Sequence, residues 1–165
     1  MNLLTISFVH GLESTYDKYL QINTNLTELF GEPIYKETER ITSNSIVLDV
    51  DKNIRTQDSY TASGMLKGVG NVTDKSTFLT TFQREGNVTT SNGNGIFTTV
   101  DGEIATYIGQ DLGMIDENGV EIFRGIQIFQ TESNGKLSFL DNLIGLYEYK
   151  NWPDGKKTGM IWQWK

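Results

Sequence analysis

The sequence predicts an all-β protein that folds as a single antiparallel up-and-down β-barrel of about eight strands. Dipeptides in which Asn or Asp precedes Gly recur through the second half of the chain, and these residue types adopt the positive φ angles of tight hairpin turns at the least cost. The stretches between them are rich in β-branched and aromatic residues, as strands are. At 165 residues, the chain is long enough for one domain with a core and too short for two domains of ordinary size. The dipeptides are Asn92-Gly93, Asn94-Gly95, Asp101-Gly102, Asn118-Gly119, Asn134-Gly135 and Asp154-Gly155.

The composition argues against several classes of site and partner. With no cysteine and a lone histidine, His10, the chain cannot assemble the usual imidazole and thiolate ligand sets, so we expect no metal. A net charge of −7 argues against nucleic acid as a partner, because neutralising phosphates takes clustered Lys and Arg. No Gly-rich run precedes a convincing helix, so no nucleotide-binding loop and no cofactor is expected.

Signals for export or membrane insertion are weak. No stretch approaches the roughly 20 consecutive apolar residues that a membrane-spanning helix needs. The opening segment, Met1 to Val9, is apolar but lacks a basic n-region and an obvious cleavage site. We therefore expect a cytoplasmic protein with no membrane partner, and secretion remains the alternative.

Residues 1–32 differ in pattern from the rest and are predicted to form an N-terminal extension to a barrel domain of residues 33–165. Apolar residues recur at roughly helical spacing from Tyr16 to Phe30, and Ser14 could cap the start of a short helix. Gly31 and Pro33 would end that helix. We expect the extension to dock on the barrel, because its many Asn and Thr residues are poor helix formers.

From Thr38 onward the hydrophobic periodicity changes to two, which is the period of a strand. Eight or nine strands in up-and-down order would leave two exposed edges unless the sheet closes, so a closed barrel is the economical arrangement. The strands are predicted at about 38–50, 59–69, 72–83, 87–91, 95–100, 103–112, 120–131, 137–150 and 158–165.

The stretch from Val120 to Thr131 carries apolar residues on both of its faces. A strand that is buried on one side only would show a cleaner polar face. We therefore expect the outer face to be covered by the N-terminal extension, by another layer of strands or by a second subunit, and a homo-oligomer, either a dimer or a trimer, is predicted.

Short motifs along the barrel region carry a resemblance to known proteins. They comprise Ala62-Ser63-Gly64, Gly93-Asn94-Gly95, Asp101-Gly102-Glu103, Arg124-Gly125, Thr131-Glu132-Ser133, Lys136-Leu137, residues 142–149 and Trp162-Gln163-Trp164-Lys165. With these motifs, roughly residues 38–165 resemble a group of small, uncharacterised bacterial and archaeal proteins similar to the allene oxide cyclase and dirigent barrels. Members of the group often have Glu where this chain has Gln163, and often a Trp near Tyr107. The resemblance implies a lumen that either holds an apolar ligand or orients a reactive substrate.

Three charged residues are candidates for catalysis in such a lumen. Glu148 lies in an apolar stretch, Glu103 follows a predicted turn, and an acid among apolar neighbours could exchange a proton with a substrate. Arg124 is flanked on its strand face by isoleucines and is the obvious counter-ion for Glu148. The competing interpretation is a purely structural ion pair between the two.

Aromatic residues are the candidates for ligand binding, since tyrosine and tryptophan combine an apolar body with a polar atom. For the tyrosines, simple filling of the core is the competing interpretation. The two tryptophans would form either a cavity wall or a subunit contact. The predicted ligand-binding residues are Tyr60, Tyr107, Phe129, Tyr147, Trp162 and Trp164.

Taken as a whole, the sequence predicts a small-molecule-binding barrel for an apolar ligand. The alternative is a cofactor-free cyclase or isomerase of the allene oxide cyclase type, which would act by orienting its substrate. A structural or self-associating barrel with a filled core is a third possibility, and the volume of the lumen separates it from the first two.

Overall fold

The computed structural model describes residues 26–50, 53–83 and 88–165, and it confirms the predicted fold class. Eight antiparallel strands close into a barrel in sequence order, so each strand pairs with its neighbours in the chain and β1 pairs with β8. A five-residue helix precedes them, and one turn of 3-10 helix, Ser138–Leu140, interrupts the connection between β6 and β7. The elements are α1 Leu26–Phe30, β1 Tyr35–Asp49, β2 Arg55–Leu66, β3 Gly70–Phe82, β4 Val88–Thr99, β5 Ile104–Ile115, β6 Glu121–Gln130, β7 Ile144–Asn151 and β8 Lys157–Gln163.

Three of the Asx-Gly dipeptides form turns as predicted. Gly102, Gly119 and Gly155 have φ angles of 88°, 77° and 85°, and each lies between two consecutive strands. A residue with a Cβ atom would be strained in these positions. The hairpins β4–β5, β5–β6 and β7–β8 therefore follow from local sequence alone.

The doubled dipeptide from Asn92 to Gly95 does not form the predicted turn, so that prediction is wrong. The predicted strands 87–91 and 95–100 are one continuous strand, β4, and the dipeptides lie at its centre. Gly93 and Gly95 face the lumen, where a Cβ atom on Gly95 would lie 2.3 Å from the Tyr107 ring. These glycines serve a close approach of aromatic rings, and not a change of chain direction.

The predicted strand 137–150 is also only partly correct. Its first half is a connection that contains the 3-10 turn, and β7 begins at Ile144. Leu137 and Leu140, from this connection, are fully buried and enter one end of the barrel. Burial in the core therefore overrides the strand-like composition of this segment.

The barrel is filled at one end only. The filled end is where the β2–β3, β4–β5 and β6–β7 connections meet. Phe97 lies at its centre, with ring centroids 5.0 Å from Tyr35, 5.7 Å from Tyr107 and 5.5 Å from Phe129. Such tilted and edge-on contacts are the favoured geometries for aromatic pairs. The other residues of this buried cluster include Leu66, Val72, Ala105, Leu137, Leu140 and Leu143.

The seam that closes the barrel is short. β1 pairs with β8 at only two positions, Tyr35 with Ile161 and Lys36 with Met160. By contrast, β1 pairs with β2 over nearly its whole length, with register shifts that mark bulges near residues 38, 43 and 48. Bulges increase the local twist of a strand, so β1 coils away from β8 beyond the seam.

Part of the outer surface of β5, β6 and β7 is apolar. Ile108, Ile128 and Ile144 are neighbours in the register of these strands and all three are exposed. The homo-oligomer that was expected from the two apolar faces stays a prediction. Helix α1 contacts β8, and the remainder of the predicted extension, including His10 and Ser14, lies outside the described residues. Among the described helices, neither has the length and apolar character needed to cross a bilayer.

Candidate binding site

A cavity of about 340 Å³ occupies the half of the barrel that the core leaves open. Its rim is formed where β1, β3, β5 and β7 end, and its floor is the layer of side chains next to the filled end. Clefts of roughly 300 to 1,000 Å³ are typical of small-molecule sites. The residues along its wall include Tyr60, Phe78, Phe123, Tyr147 and Tyr149, with Phe82, Ile115, Glu121, Asn151 and Lys157 near the rim.

Asp74 lies on the floor of this cavity. It faces inward because it alternates in phase with the buried Val72 and Phe78 on β3. Its carboxyl group accepts a hydrogen bond from the Tyr107 hydroxyl, with O···O distances of 2.9 and 3.0 Å to its two oxygens. Burial raises the pKa of Asp74 to about 7, although Arg40 and the Tyr107 hydroxyl favour the charged form. The group is therefore placed to gain or lose a proton near neutral pH.

Arg40 crosses the cavity from β1 and lies between two aromatic rings. Its guanidinium carbon is 3.9 Å from the centroid of the Tyr60 ring and 3.9 Å from that of Tyr149. Glu37 holds it in place, with an Arg40 Nη2 to Glu37 Oε2 distance of 2.6 Å and two further bonds from Nε. The Glu37 side chain is 1% exposed and the Arg40 side chain 12%, so the pair is largely removed from water. Ion pairing and stacking on two ring faces together compensate for that desolvation.

A second acid, Asp111, enters the cavity from β5. Its Oδ2 atom accepts a short hydrogen bond from the Tyr147 hydroxyl. Burial raises its pKa, and this effect outweighs the hydrogen bond from Tyr147 and the nearby Ser91 hydroxyl, which favour the carboxylate. Its second oxygen, Oδ1, is buried and has no hydrogen-bond partner within the described residues.

Three more buried polar atoms on the cavity wall lack partners among residues 26–50, 53–83 and 88–165. They are the side-chain oxygen of Gln127 and the hydroxyls of Tyr35 and Thr89. Gln127 and Tyr35 are more than nine-tenths buried. Leaving such a group without a partner costs roughly 1 to 3 kcal/mol, so each is a vacant position for a hydrogen bond from a bound molecule.

The predicted ligand-binding residues separate into three groups. Tyr60 and Tyr147 line the cavity. Tyr107 and Phe129 belong to the buried cluster of the filled end, and Tyr107 reaches the floor through its hydrogen bond to Asp74. Trp162 lies on the outward face of β8 and is buried there, whereas Trp164 follows the strand and is 56% exposed, so neither tryptophan forms the cavity wall.

Of the three residues predicted to be catalytic, Glu148 is among the residues that line the cavity, whereas Arg124 and Glu103 are not. Arg124 and Glu148 are cross-strand partners with an Nη2 to Oε2 distance of 2.8 Å, and they alternate out of phase with the inward-facing Tyr147. Burial disfavours the Glu148 carboxylate, but hydrogen bonds from Lys150 and Arg124 outweigh it and leave its pKa below the usual value. Its partners therefore keep Glu148 ionised, and a purely structural ion pair is sufficient to explain why Arg124 and Glu148 are here.

Glu103 is a structural acid of the filled end. Its carboxylate accepts hydrogen bonds from the Ser133 hydroxyl and from the backbone N–H groups of Lys136 and Leu137, at 3.1 and 3.0 Å for the two amides. These bonds lower the pKa of Glu103, with the Ser133 hydroxyl as the largest cause. The residue fixes the connection that delivers Leu137 to the core, at the end of the barrel opposite the cavity.

The sequence analysis missed Asp74, Asp111 and the pair of Glu37 with Arg40. The signal for the two aspartates was present, since each is in phase with inward-facing aromatic residues of its own strand. The sequence contained no comparable signal for the pair of Glu37 with Arg40. Glu37 and Arg40 are three residues apart, and they share a face only because the bulge between Glu37 and Glu39 shifts the alternation.

No cluster of His, Cys, Asp and Glu suited to a metal ion occurs in the part of the chain that the structure describes. Comparisons of the chain with protein-family models, with curated proteins and with solved structures found no match. A function for this chain is therefore argued from the geometry and charges of the cavity.

Proposed function

We propose that this protein binds a small molecule inside the open half of the barrel, and that the ligand combines a ring system with hydrogen-bonding groups. The observation that carries the proposal is the cavity of about 340 Å³, which is walled by aromatic rings and contains buried polar atoms that have no hydrogen-bond partner in the described part of the chain. Apolar walls with a few placed polar groups are the usual composition of a ligand site.

The polar floor modifies the ligand that the sequence led us to expect. An entirely apolar ligand would cover the Asp74 and Asp111 carboxyl groups without offering them hydrogen bonds, which is unfavourable. A ring system suits the walls, where Tyr60 and Phe78 stack with centroids 6.1 Å apart. We therefore favour a ligand with a flat apolar body and at least one polar end.

Thermal unfolding with a panel of fatty acids, terpenoids, aromatic alcohols and aromatic amines, with bicyclic compounds among them, tests the proposal. A ligand that binds only the folded protein at 100 times its Kd stabilises it by about 2.7 kcal/mol, and this raises Tm. We expect several members of the panel to raise Tm and to be seen as one-to-one adducts by native mass spectrometry. A panel of fatty acids, terpenoids, aromatic alcohols and aromatic amines that leaves Tm unchanged would contradict ligand binding.

Two variants on adjacent residues of β4 distinguish the cavity from the outer surface. Ser91 is buried and lines the cavity, whereas its neighbour Thr90 is exposed on the other strand face. The substitution Ser91→Phe places a ring in the cavity and should abolish the response to ligands. The matched control Thr90→Phe adds the same ring to the outside and should retain it.

A cofactor-free isomerase or cyclase is the second candidate, and one observation favours it. Asp74 is an acid with a pKa of about 7, hydrogen-bonded to Tyr107 on the floor of the cavity. A general base works best when its pKa is near the working pH. In such a reaction Asp74 would remove a proton next to a carbonyl group, and a neighbouring hydroxyl would steady the developing oxyanion.

Hydrogen exchange of enolisable ketones in D2O tests this candidate without knowledge of the substrate. The ketones 1-indanone and 2-tetralone would be followed by proton NMR. We expect wild-type protein to accelerate loss of the α-proton signals above the buffer rate, and Asp74→Asn to reduce that acceleration. Equal rates for the two proteins would exclude Asp74 as the base.

A further inference from the structure

We propose that the ligand is a small organic cation, an aromatic ring system that bears an aliphatic amine, whose protonated nitrogen binds among Asp111, Gln127 and Asp74. This inference rests on the proposed function and specifies the ligand class for the same cavity. It is carried by the charges, the vacant hydrogen-bond acceptors and the aromatic walls of the described lining residues.

Acids outnumber bases among the lining residues that the structure describes. Arg40 is already neutralised by Glu37 through three hydrogen bonds, so it leaves little positive charge for an anionic ligand. A ligand carboxylate would lie beside like charges, whereas an ammonium group would reduce their mutual repulsion. The acids are Glu37, Asp58, Asp74, Asp111, Glu121 and Glu148, and the bases are Arg40 and, near the rim, Lys157.

The vacant polar atoms of the floor include acceptors that require a donor. Asp111 Oδ1 and Gln127 Oε1 are both buried, and neither has a partner within residues 26–50, 53–83 and 88–165. A protonated amine supplies three N–H donors and no acceptor, which matches this vacancy. A carboxylate ligand supplies acceptors only and would leave both oxygens without hydrogen bonds.

The walls add a second attraction for a cation. The faces of aromatic rings attract positive charge, and Arg40 shows this within the cavity by lying 3.9 Å from two tyrosine rings. Phe78 and Phe123 continue the aromatic wall beyond that position. A ligand with its own ring would stack on this wall while its nitrogen reaches the floor.

Three indole compounds of nearly equal size and different charge test the proposal by isothermal titration calorimetry at pH 8. Tryptamine is a cation at this pH, tryptophol is neutral and indole-3-acetate is an anion. We expect tryptamine to bind at least about tenfold more tightly than tryptophol, since hydrogen bonds to charged groups are the stronger ones. Indole-3-acetate should bind most weakly.

Variants then assign the preference to the proposed residues. Asp111→Asn removes one negative charge at nearly constant size and should weaken tryptamine binding about tenfold while changing tryptophol binding little. Gln127→Leu is a second variant that removes the other vacant acceptor and should act in the same direction. The control Glu39→Gln removes a negative charge from an exposed position outside the cavity and should leave the affinity for tryptamine unchanged.

The outcomes separate this inference from the proposed function. If no indole binds and the wider panel of compounds also fails, ligand binding itself is wrong. If tryptophol or indole-3-acetate binds as tightly as tryptamine, the cavity is a binding site but not one for cations. A preference for tryptamine that survives both Asp111→Asn and Gln127→Leu would overturn the assignment of these residues.

Discussion

Asp74 has a cost to folding that depends on pH. Its pKa is about 7 in the folded protein and 3.8 in a model compound, so between these values the folded chain holds a proton that the unfolded chain releases. The free energy of unfolding contributed by Asp74 therefore falls as pH rises from about 4 to about 7, and is constant above that. Tyr60 and Tyr107, which face Asp74, remain protonated because burial raises their pKa values. Arg40 keeps its charge throughout.

We expect the free energy of unfolding of the wild type to fall between pH 5 and pH 8 by about 2 kcal/mol more than that of Asp74→Asn. The asparagine keeps the shape and can still accept the hydrogen bond from Tyr107. Urea unfolding of both proteins at the two pH values measures this, and the comparison cancels groups such as His10 that titrate in both. An equal pH dependence in the two proteins would show that Asp74 is ionised at pH 5.

Arg124 illustrates how a second partner reduces the value of an ion pair. Glu148 contacts Lys150 at 2.9 Å as well as Arg124, and the Arg124 side chain is 33% exposed. Removing Arg124 therefore leaves Glu148 with a cation, and not as an orphaned buried charge. We expect Arg124→Met to lower the free energy of unfolding by about 1 kcal/mol. Chemical denaturation measures this, and a loss above about 3 kcal/mol would mean that Lys150 does not compensate.

At the scale of the element, β4 shows why glycine has more than one meaning in a strand. Its inward positions at Gly93 and Gly95 leave room for the rings of Phe78 and Tyr107. Asn92 and Asn94, which alternate with these glycines, face outward and are exposed. The four-residue pattern that suggests a hairpin turn therefore lies within an uninterrupted strand, where its glycines leave space inside the barrel.

We expect Gly95→Ala to destabilise the protein by about 1 to 3 kcal/mol, which is the usual range for overpacking. The added Cβ atom would meet Tyr107, which cannot withdraw without breaking its hydrogen bond to Asp74. The control Asn94→Ala, on the exposed face, should change stability by no more than about 0.5 kcal/mol. Urea unfolding of the two variants gives the comparison, and similar losses would indicate that the strand as a whole resists substitution.

Local sequence determines the hairpins, so they could be predicted. Gly102, Gly119 and Gly155 adopt conformations that few other residues tolerate, and this fixes three turns and the order of the strands. Local sequence does not reveal that glycines can instead make room for aromatic rings from neighbouring strands. For this reason a turn was wrongly predicted at the centre of β4. The bulges of β1 likewise depend on the closure of the barrel, and they decide that Glu37 and Arg40 share the interior.

The whole molecule divides into a filled half and a hollow half. The filled half combines residues from several strands with Leu137 and Leu140 from a connection, so stability there depends on segments far apart in sequence. The hollow half contains the largely buried charged groups Glu37, Arg40 and Asp111. This separation lets a polar cavity exist in a small barrel, because the aromatic cluster supplies the burial that the cavity lacks.

We expect Leu137→Ala to cost about 2 to 5 kcal/mol, although Leu137 lies outside every strand. The side chain is fully buried among the residues of the filled end. Phe139, two residues away, is 42% exposed, and Phe139→Ala should cost less than about 1 kcal/mol. Thermal and urea unfolding measure both, and a small effect of Leu137→Ala would show that the connection does not support the core.

The position of the site was harder to foresee than the fold. Tyr60 and Tyr147 were recognisable as wall residues from alternation, but whether the lumen is open depends on the total volume of the inward side chains, which no single strand reveals. The acids of the floor were overlooked because an acid within an apolar run, such as Glu148, is the more conspicuous signal. Asp74 instead lies within the polar run 73–77 and is buried only by its partners across the barrel.

The two-residue seam between β1 and β8 is the place where the barrel wall opens most easily to a ligand. Parting these two strands at the seam breaks few backbone hydrogen bonds, so a sideways gap there requires less free energy than rupture between any other adjacent strands. The Arg40 side chain extends from β1 past this seam to the Tyr149 ring on β7, and this contact holds the seam closed. The rate at which a bound ligand exchanges would then depend on how often Arg40 leaves the Tyr149 ring. Arg40→Leu should increase both the association rate and the dissociation rate in stopped-flow measurements.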